Sequence, residues 1–142
     1  MKAKRGKRVA IWTGDAELRS DLSRFLTNAG LRVLATDSRE QVQSWITDGQ
    51  AELVIADLSQ TWLEPLDFLT WIRSQPSAPP VVIVSEEFHI SLYLEAMRRG
   101  AFDGIGLPLS EPEVRRVVAR ALEAVPERSA LEVQDEPVAQ RL

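Results

Sequence analysis

Val81-Val82-Ile83-Val84 is apolar at every position, with Pro79-Pro80 before it and Ser85-Glu86 after it. A short run without polar alternation is what a strand shows when helices cover both faces of a parallel sheet. Working outward, Leu53-Val54-Ile55-Ala56 reads as another such strand, ending at Asp57, and Val9-Ala10-Ile11-Trp12 as a third. Leu31-Arg32-Val33-Leu34-Ala35 and a weaker segment near Gly104-Ile105-Gly106-Leu107 complete a set of five.

Helical periods fill the intervals. Asp15 is placed to cap a helix whose apolar stripe is Leu18, Leu22, Phe25, Leu26 and Ala29, ended by Gly30. Ser38 and Gln41 form a capping box ahead of Val42, Trp45 and Ile46, and Gly49 closes that helix. Pro65 suits the first turn of a helix through Leu66, Leu69 and Ile72; another carries Leu92, Ala96 and Met97 to Gly100. Ser110 with Glu113 opens the last, with Val114, Val117, Val118, Ala121 and Leu122 on one face. Five strand–helix units predict an α/β doubly wound parallel sheet with right-handed crossovers. Its boundaries read as a basic arm over 1–7, a domain over 8–125 and a flexible acidic tail over 126–142.

Composition narrows the function classes. The 142 residues suffice for one domain, and the 44% hydrophobic and 27% charged content is that of a globular protein. Five of the 17 basic residues lie in the first eight positions, leaving twelve against 21 acidic ones, a body charge of −9. An acidic body is a poor nucleic-acid surface, and the arm reads as a solvated flank. Cysteine is absent, which excludes disulfides and thiolate metal sites. No apolar run spans a bilayer, and Thr13, Gly14 and Asp15 interrupt any signal-peptide core. The expectation is a cytoplasmic protein.

Ligands of such sheets bind beyond the carboxyl ends of the strands, at the switch in strand order. The residues there are Thr13, Gly14 and Asp15, then Asp57, then Ser85 and Glu86, then Leu107-Pro108. With "GDAELRSDLSRFLTNAGLRV" (14–33), "AELVIADL" (51–58), "PPVVIVSEE" (79–87) and "AMRRGAFDGIGLPLSEPEV" (96–114), the chain from Arg8 to about Ala124 resembles the CheY-like receiver domain of response regulators. The resemblance implies a flavodoxin-like (βα)5 fold with strand order 2-1-3-4-5. It also implies that Asp57 holds the phosphoacceptor position and Ser85 the position of the hydroxyl that contacts the phosphate.

Other positions depart from the family. The two acidic residues that hold Mg²⁺ are replaced by Thr13 and Gly14, and the Lys that pairs with phosphate by Leu107. Gly104 stands at the aromatic switch position, Thr61 replaces a Pro, and Glu64-Pro65 an Asp-Gly pair. Phosphoryl transfer depends on neutralising charge on the transferring oxygens, and a phosphate adds about −1.5 to −2 charge. The expected function is therefore a stand-alone pseudo-receiver, not an enzyme, that needs no cofactor. It would signal through contact with a histidine kinase or downstream effector, because the tail is too short for a DNA-binding fold.

Two alternatives remain open. One is a phosphoacceptor in which Asp15 and Asp57 make an unusual Mg²⁺ site. The other is a small-ligand module using the metal-free pocket. The fourth helix, fifth strand and fifth helix offer a partner or homodimer face bearing Arg98, Arg99, Arg115, Arg116 and Arg120, equally readable as a solvated face. Trp62 is expected to cover the pocket. His89, the single histidine, reads as a helix-start surface residue, and a Ser85–His89–Asp57 triad has no nucleophile elbow to support it.

Overall fold

The computed structural model describes residues 6–59, 63–86 and 90–138, with no side-chain description at 63–64 and 125–138. Thr61, Trp62 and His89 lie outside the described residues. In chain order the elements are β1 (Arg8–Trp12), α1 (Ala16–Asn28), β2 (Arg32–Thr36), α2 (Arg39–Thr47) and β3 (Leu53–Asp57). They continue with α3 (Leu63–Arg73), β4 (Val81–Ser85), α4 (Ile90–Arg98), β5 (Asp103–Gly106) and α5 (Glu111–Val138). The strands form one parallel sheet in the order β2-β1-β3-β4-β5.

Alternation along the buried strands divides the core in two. Val9, Ile11, Leu53, Ile55, Val82, Val84 and Ile105 face α1 and α5, where Leu18, Leu22, Leu26, Val114, Val117 and Val118 meet them. Ala10, Trp12, Val54, Ala56, Val81 and Ile83 face α2, α3 and α4, against Val42, Ile46, Phe68, Leu69, Ile72 and Ala96. Both faces of β4 are buried, as its unbroken apolar run requires. Phe68 stands edge-on to Trp12, ring centroids 5.0 Å apart.

Local signals set the ends. The Asp15 carboxylate accepts from the Glu17 and Leu18 amides, and Ser38 accepts from Gln41. Gly30 leaves α1 at φ 86°, and the Leu31 amide returns to the Leu26 carbonyl, so β2 starts at Arg32 and Leu31 belongs to the turn. Leu107 likewise falls just past β5, next to a cis Leu107–Pro108 bond.

The backbone of α5 continues through Pro126 to Val138, past residue 125. Ala, Glu, Arg and Leu, all strong helix formers, dominate residues 119–132, on both sides of Pro126.

Candidate functional site

Because β1 and β3 are neighbours while their helices lie on opposite faces, the crevice at the switch point opens above the ends of these two strands. Thr13 follows β1, its amide bonded to the Thr36 carbonyl, and its side chain is buried. Asp57 ends β3 half-buried, and the next amide, Leu58, donates to Val84 on β4. Ser85 is buried at the end of β4, and its carbonyl receives the Leu107 amide. Thr13, Asp57, Ser85 and Leu107 therefore sit at adjacent strand ends, as the sequence reading required.

The bonding among them was not foreseen. The Thr13 hydroxyl donates to Asp57 Oδ2 at 2.5 Å, and its oxygen accepts the Asp15 amide at 3.0 Å. On the other side Asp57 Oδ1 accepts the Ser59 amide at 2.8 Å and the Ser59 hydroxyl at 2.6 Å. O–H···O⁻ bonds of this length are the strong, charge-assisted kind. Asp57 is thus caged by neutral donors. Ser59 is a site residue that sequence reasoning missed, although a hydroxyl two residues past an Asp is a recognisable Asx-turn signal.

Mg²⁺, the ion that the receiver resemblance implies, requires a near-octahedral oxygen shell at about 2.0–2.1 Å. Asp57 supplies one carboxylate, and both of its oxygens already accept hydrogen bonds. Gly14 offers no side-chain ligand, and the Thr13 proton points at Asp57. Asp15 Oδ1 is engaged in capping α1. Among the described residues, no group of three or more His, Cys, Asp or Glu could hold a metal. These residues do not fit the ion.

Nor is the surrounding field suited to an incoming anion. A groove of about 360 Å³ beside the site is lined by Asp15, Glu17, Asp21 and Glu86, with Leu18, Leu107, Pro108 and Leu109 as its apolar wall. Leu107 packs against the α1/α5 core. Arg19 donates to the Thr13 carbonyl at 3.5 Å, a long contact directed at the backbone.

The five arginines differ in what they touch. Arg98 and Arg99 both pair with Glu95, at 2.5 and 2.7 Å, and the Arg99 bond holds the Glu95 carboxyl below its ordinary value. Arg99 also donates to the Leu66 carbonyl and Thr70 hydroxyl, so it is turned toward α3. Arg120 pairs with Asp103 at 2.7 Å, and Asp103 also accepts from the Tyr93 hydroxyl. Arg115 and Arg116 border a groove against α1 instead.

A doubly wound five-stranded sheet with a caged aspartate at its switch point defines the class: an α/β signalling-type domain of receiver architecture. The response regulator receiver domain model matches residues 9–119, and the chain belongs to that family. It is 27% identical over 131 residues to the DNA-binding transcriptional regulator NtrC of Rhizobium meliloti, covering 92% of this chain and 27% of that protein. Nodulation protein W of Bradyrhizobium diazoefficiens is 29% identical over 116 residues, covering 81% of this chain and 51% of that protein. The chain thus spans about a quarter to a half of these relatives. Among solved structures, NtrX from Brucella abortus in complex with ADP superposes with a TM-score of 0.80 at 25% identity, covering 92% of this chain and 29% of that one. The receiver domain of a LuxO-type repressor from Vibrio parahaemolyticus gives 0.79 at 18% identity, covering 89% and 98%, a likeness of fold.

Proposed function

We propose that this receiver is a pseudo-receiver: an interaction module of two-component signalling, residing in the cytoplasm, that operates without an efficient phosphorylation cycle at Asp57. The observation that carries the reading is the Thr13–Asp57–Ser59 cage. Two hydroxyls and one amide engage both oxygens of the carboxylate that would have to attack a phosphodonor and share a metal. Each such bond to a charged group contributes about 1.5–3 kcal/mol, so freeing Asp57 carries a standing cost. Leu107 supplies no charge to a phosphate, and four carboxylates line the groove beside the site. The module is not a catalyst. Its output is contact with a histidine kinase or downstream effector, and the α4-β5-α5 face serves a second copy of the chain. Ile90 and Leu94, 70% and 51% exposed, form an apolar step on that face beside Arg98.

The test is incubation with a small phosphodonor and millimolar Mg²⁺, followed by intact mass. The expected result is no phosphoryl adduct at Asp57. A stoichiometric adduct that disappears in Asp57→Asn defeats the reading and establishes a phosphoacceptor with an unusual metal site. A small-ligand role for the pocket would instead appear as a thermal shift with a metabolite and none with Mg²⁺.

A further inference from the structure

At the opposite edge of the sheet from Asp57, α1 and α5 leave a groove of about 240 Å³ between them. Its floor is Leu26, Leu31, Val118 and Leu122, all buried, and Arg115 and Arg116 stand exposed at its rim. Neither arginine pairs with a carboxylate among the described residues, whereas Arg98, Arg99 and Arg120 all do. The rim therefore offers two uncommitted guanidinium groups over an apolar cleft.

We infer that this groove is a docking site for an acidic amphipathic segment of a partner protein, seating one Leu-sized side chain between carboxylates that pair with Arg115 and Arg116. Two arguments select that occupant. The volume is below the roughly 300–1,000 Å³ of small-molecule sites, yet it suits a single anchor side chain of the kind that dominates interface energetics. The planar guanidinium matches a carboxylate in bidentate fashion, so two adjacent arginines select acidic residues flanking the anchor. Leu26 and Leu31 bracket the turn into β2, whose first residue pairs with the first of β1, so the groove lies at the amino edge of the strands. Binding there is independent of Asp57.

The probe is a fluorescein-labelled, acetylated helical peptide of Glu, Leu and Ala, with a counterpart in which every Glu is Lys. Both are titrated with the full chain and followed by anisotropy. Saturable binding of the acidic peptide is expected, with the Lys counterpart at least roughly tenfold weaker. Arg115→Glu/Arg116→Glu should weaken the acidic peptide by roughly tenfold or more. Ala119→Trp, which fills the groove without changing charge, should do the same, and Asp57→Asn should not. Melting temperatures establish that each variant is folded, and the charge-reversal pair, at exposed positions, keeps the test decisive if Ala119→Trp fails to fold. Absence of saturable binding, equal affinity for the two peptides, or wild-type affinity in the folded groove variants overturns the inference. So do displacement of the peptide by an equal concentration of octanoate and a chain dimer abolished by Arg115→Glu/Arg116→Glu, which would assign the groove to a small amphiphile or to a second copy.

Discussion

Thr13 sits where a metal-binding receiver carries an acid, and its hydroxyl both donates to Asp57 and accepts the Asp15 amide. Removing that hydroxyl leaves two groups short of a partner, so Thr13→Val should lower stability by about 1–3 kcal/mol in urea denaturation. Thr13→Ser should stay close to wild type. Thr13→Asp brings a like charge against Asp57, so its melting temperature should fall in EDTA and recover with millimolar Mg²⁺, while wild type shows no such response. A Mg²⁺-dependent rise in the wild-type melting temperature would mean that the cage opens readily. Glu52 gives a second residue-level prediction. Burial raises its carboxyl pKa, but hydrogen bonds from the Arg8 side chain and amide, with the charges of Arg8 and Lys7, outweigh this and hold it below the ordinary value. A depressed folded pKa means that the native state binds fewer protons. The stabilisation is therefore present above the unfolded carboxyl range near 4.3 and is lost as pH falls through the folded pKa. Glu52→Gln should thus be less stable than wild type at neutral pH, and the gap should close in acid-titrated melts as pH falls below the ordinary carboxyl range. The pair is partly exposed, so the effect is modest and shrinks with salt.

At the scale of elements, Asp15 decides between two roles. Its carboxylate accepts the Glu17 and Leu18 amides, so Asp15→Ala should cost α1 about 1 kcal/mol, and Asp15→Ser should recover most of it. Loss of Mg²⁺ binding without loss of stability would be the mark of a metal ligand instead. Gly100 ends α4 at φ 108°, where a Cβ would meet the Arg73 side chain at 3.1 Å. Gly100→Ala should therefore lower the melting temperature, at a cost of about 1–2 kcal/mol from the backbone conformation. These ends were legible because caps and glycines act within a few residues. The strand order was legible through the family resemblance, and the strands through their uninterrupted apolar runs. The cage was not, since Thr13 and Asp57 are 44 residues apart and hydroxyl direction has no sequence pattern. The ion pairs of Arg98 and Arg99 with Glu95 were legible in principle, at i,i+3 and i,i+4 spacing, and were missed because the arginines were read as a patch and not as helix neighbours. The length of α5 was obscured by Pro126, whose penalty is local while helix preference accumulates over many residues.

For the molecule as a whole, both sheet faces are closed by helices, and α4 alone carries exposed large apolar residues among those described. Ile90 and Leu94 are one turn apart on the same side of α4, with the Tyr93–Asp103–Arg120 network beside them. A two-fold related copy would bury the same residues from both chains, since an isologous interface is self-complementary. Two side chains of this size leave water at a gain of roughly 1.5–3 kcal/mol each, before the cost of association, which makes the dimer weak and concentration-dependent. Sedimentation velocity should show self-association in the high micromolar range. Leu94→Glu should abolish it, through like charges meeting near the axis, with an unchanged melting temperature because Leu94 is half exposed already. If Leu94→Glu sediments as wild type does across the same concentrations, the apolar step on α4 is not the contact between copies, and the face is left to a different partner. A drop in melting temperature at low concentration would instead place Leu94 in the fold of the monomer.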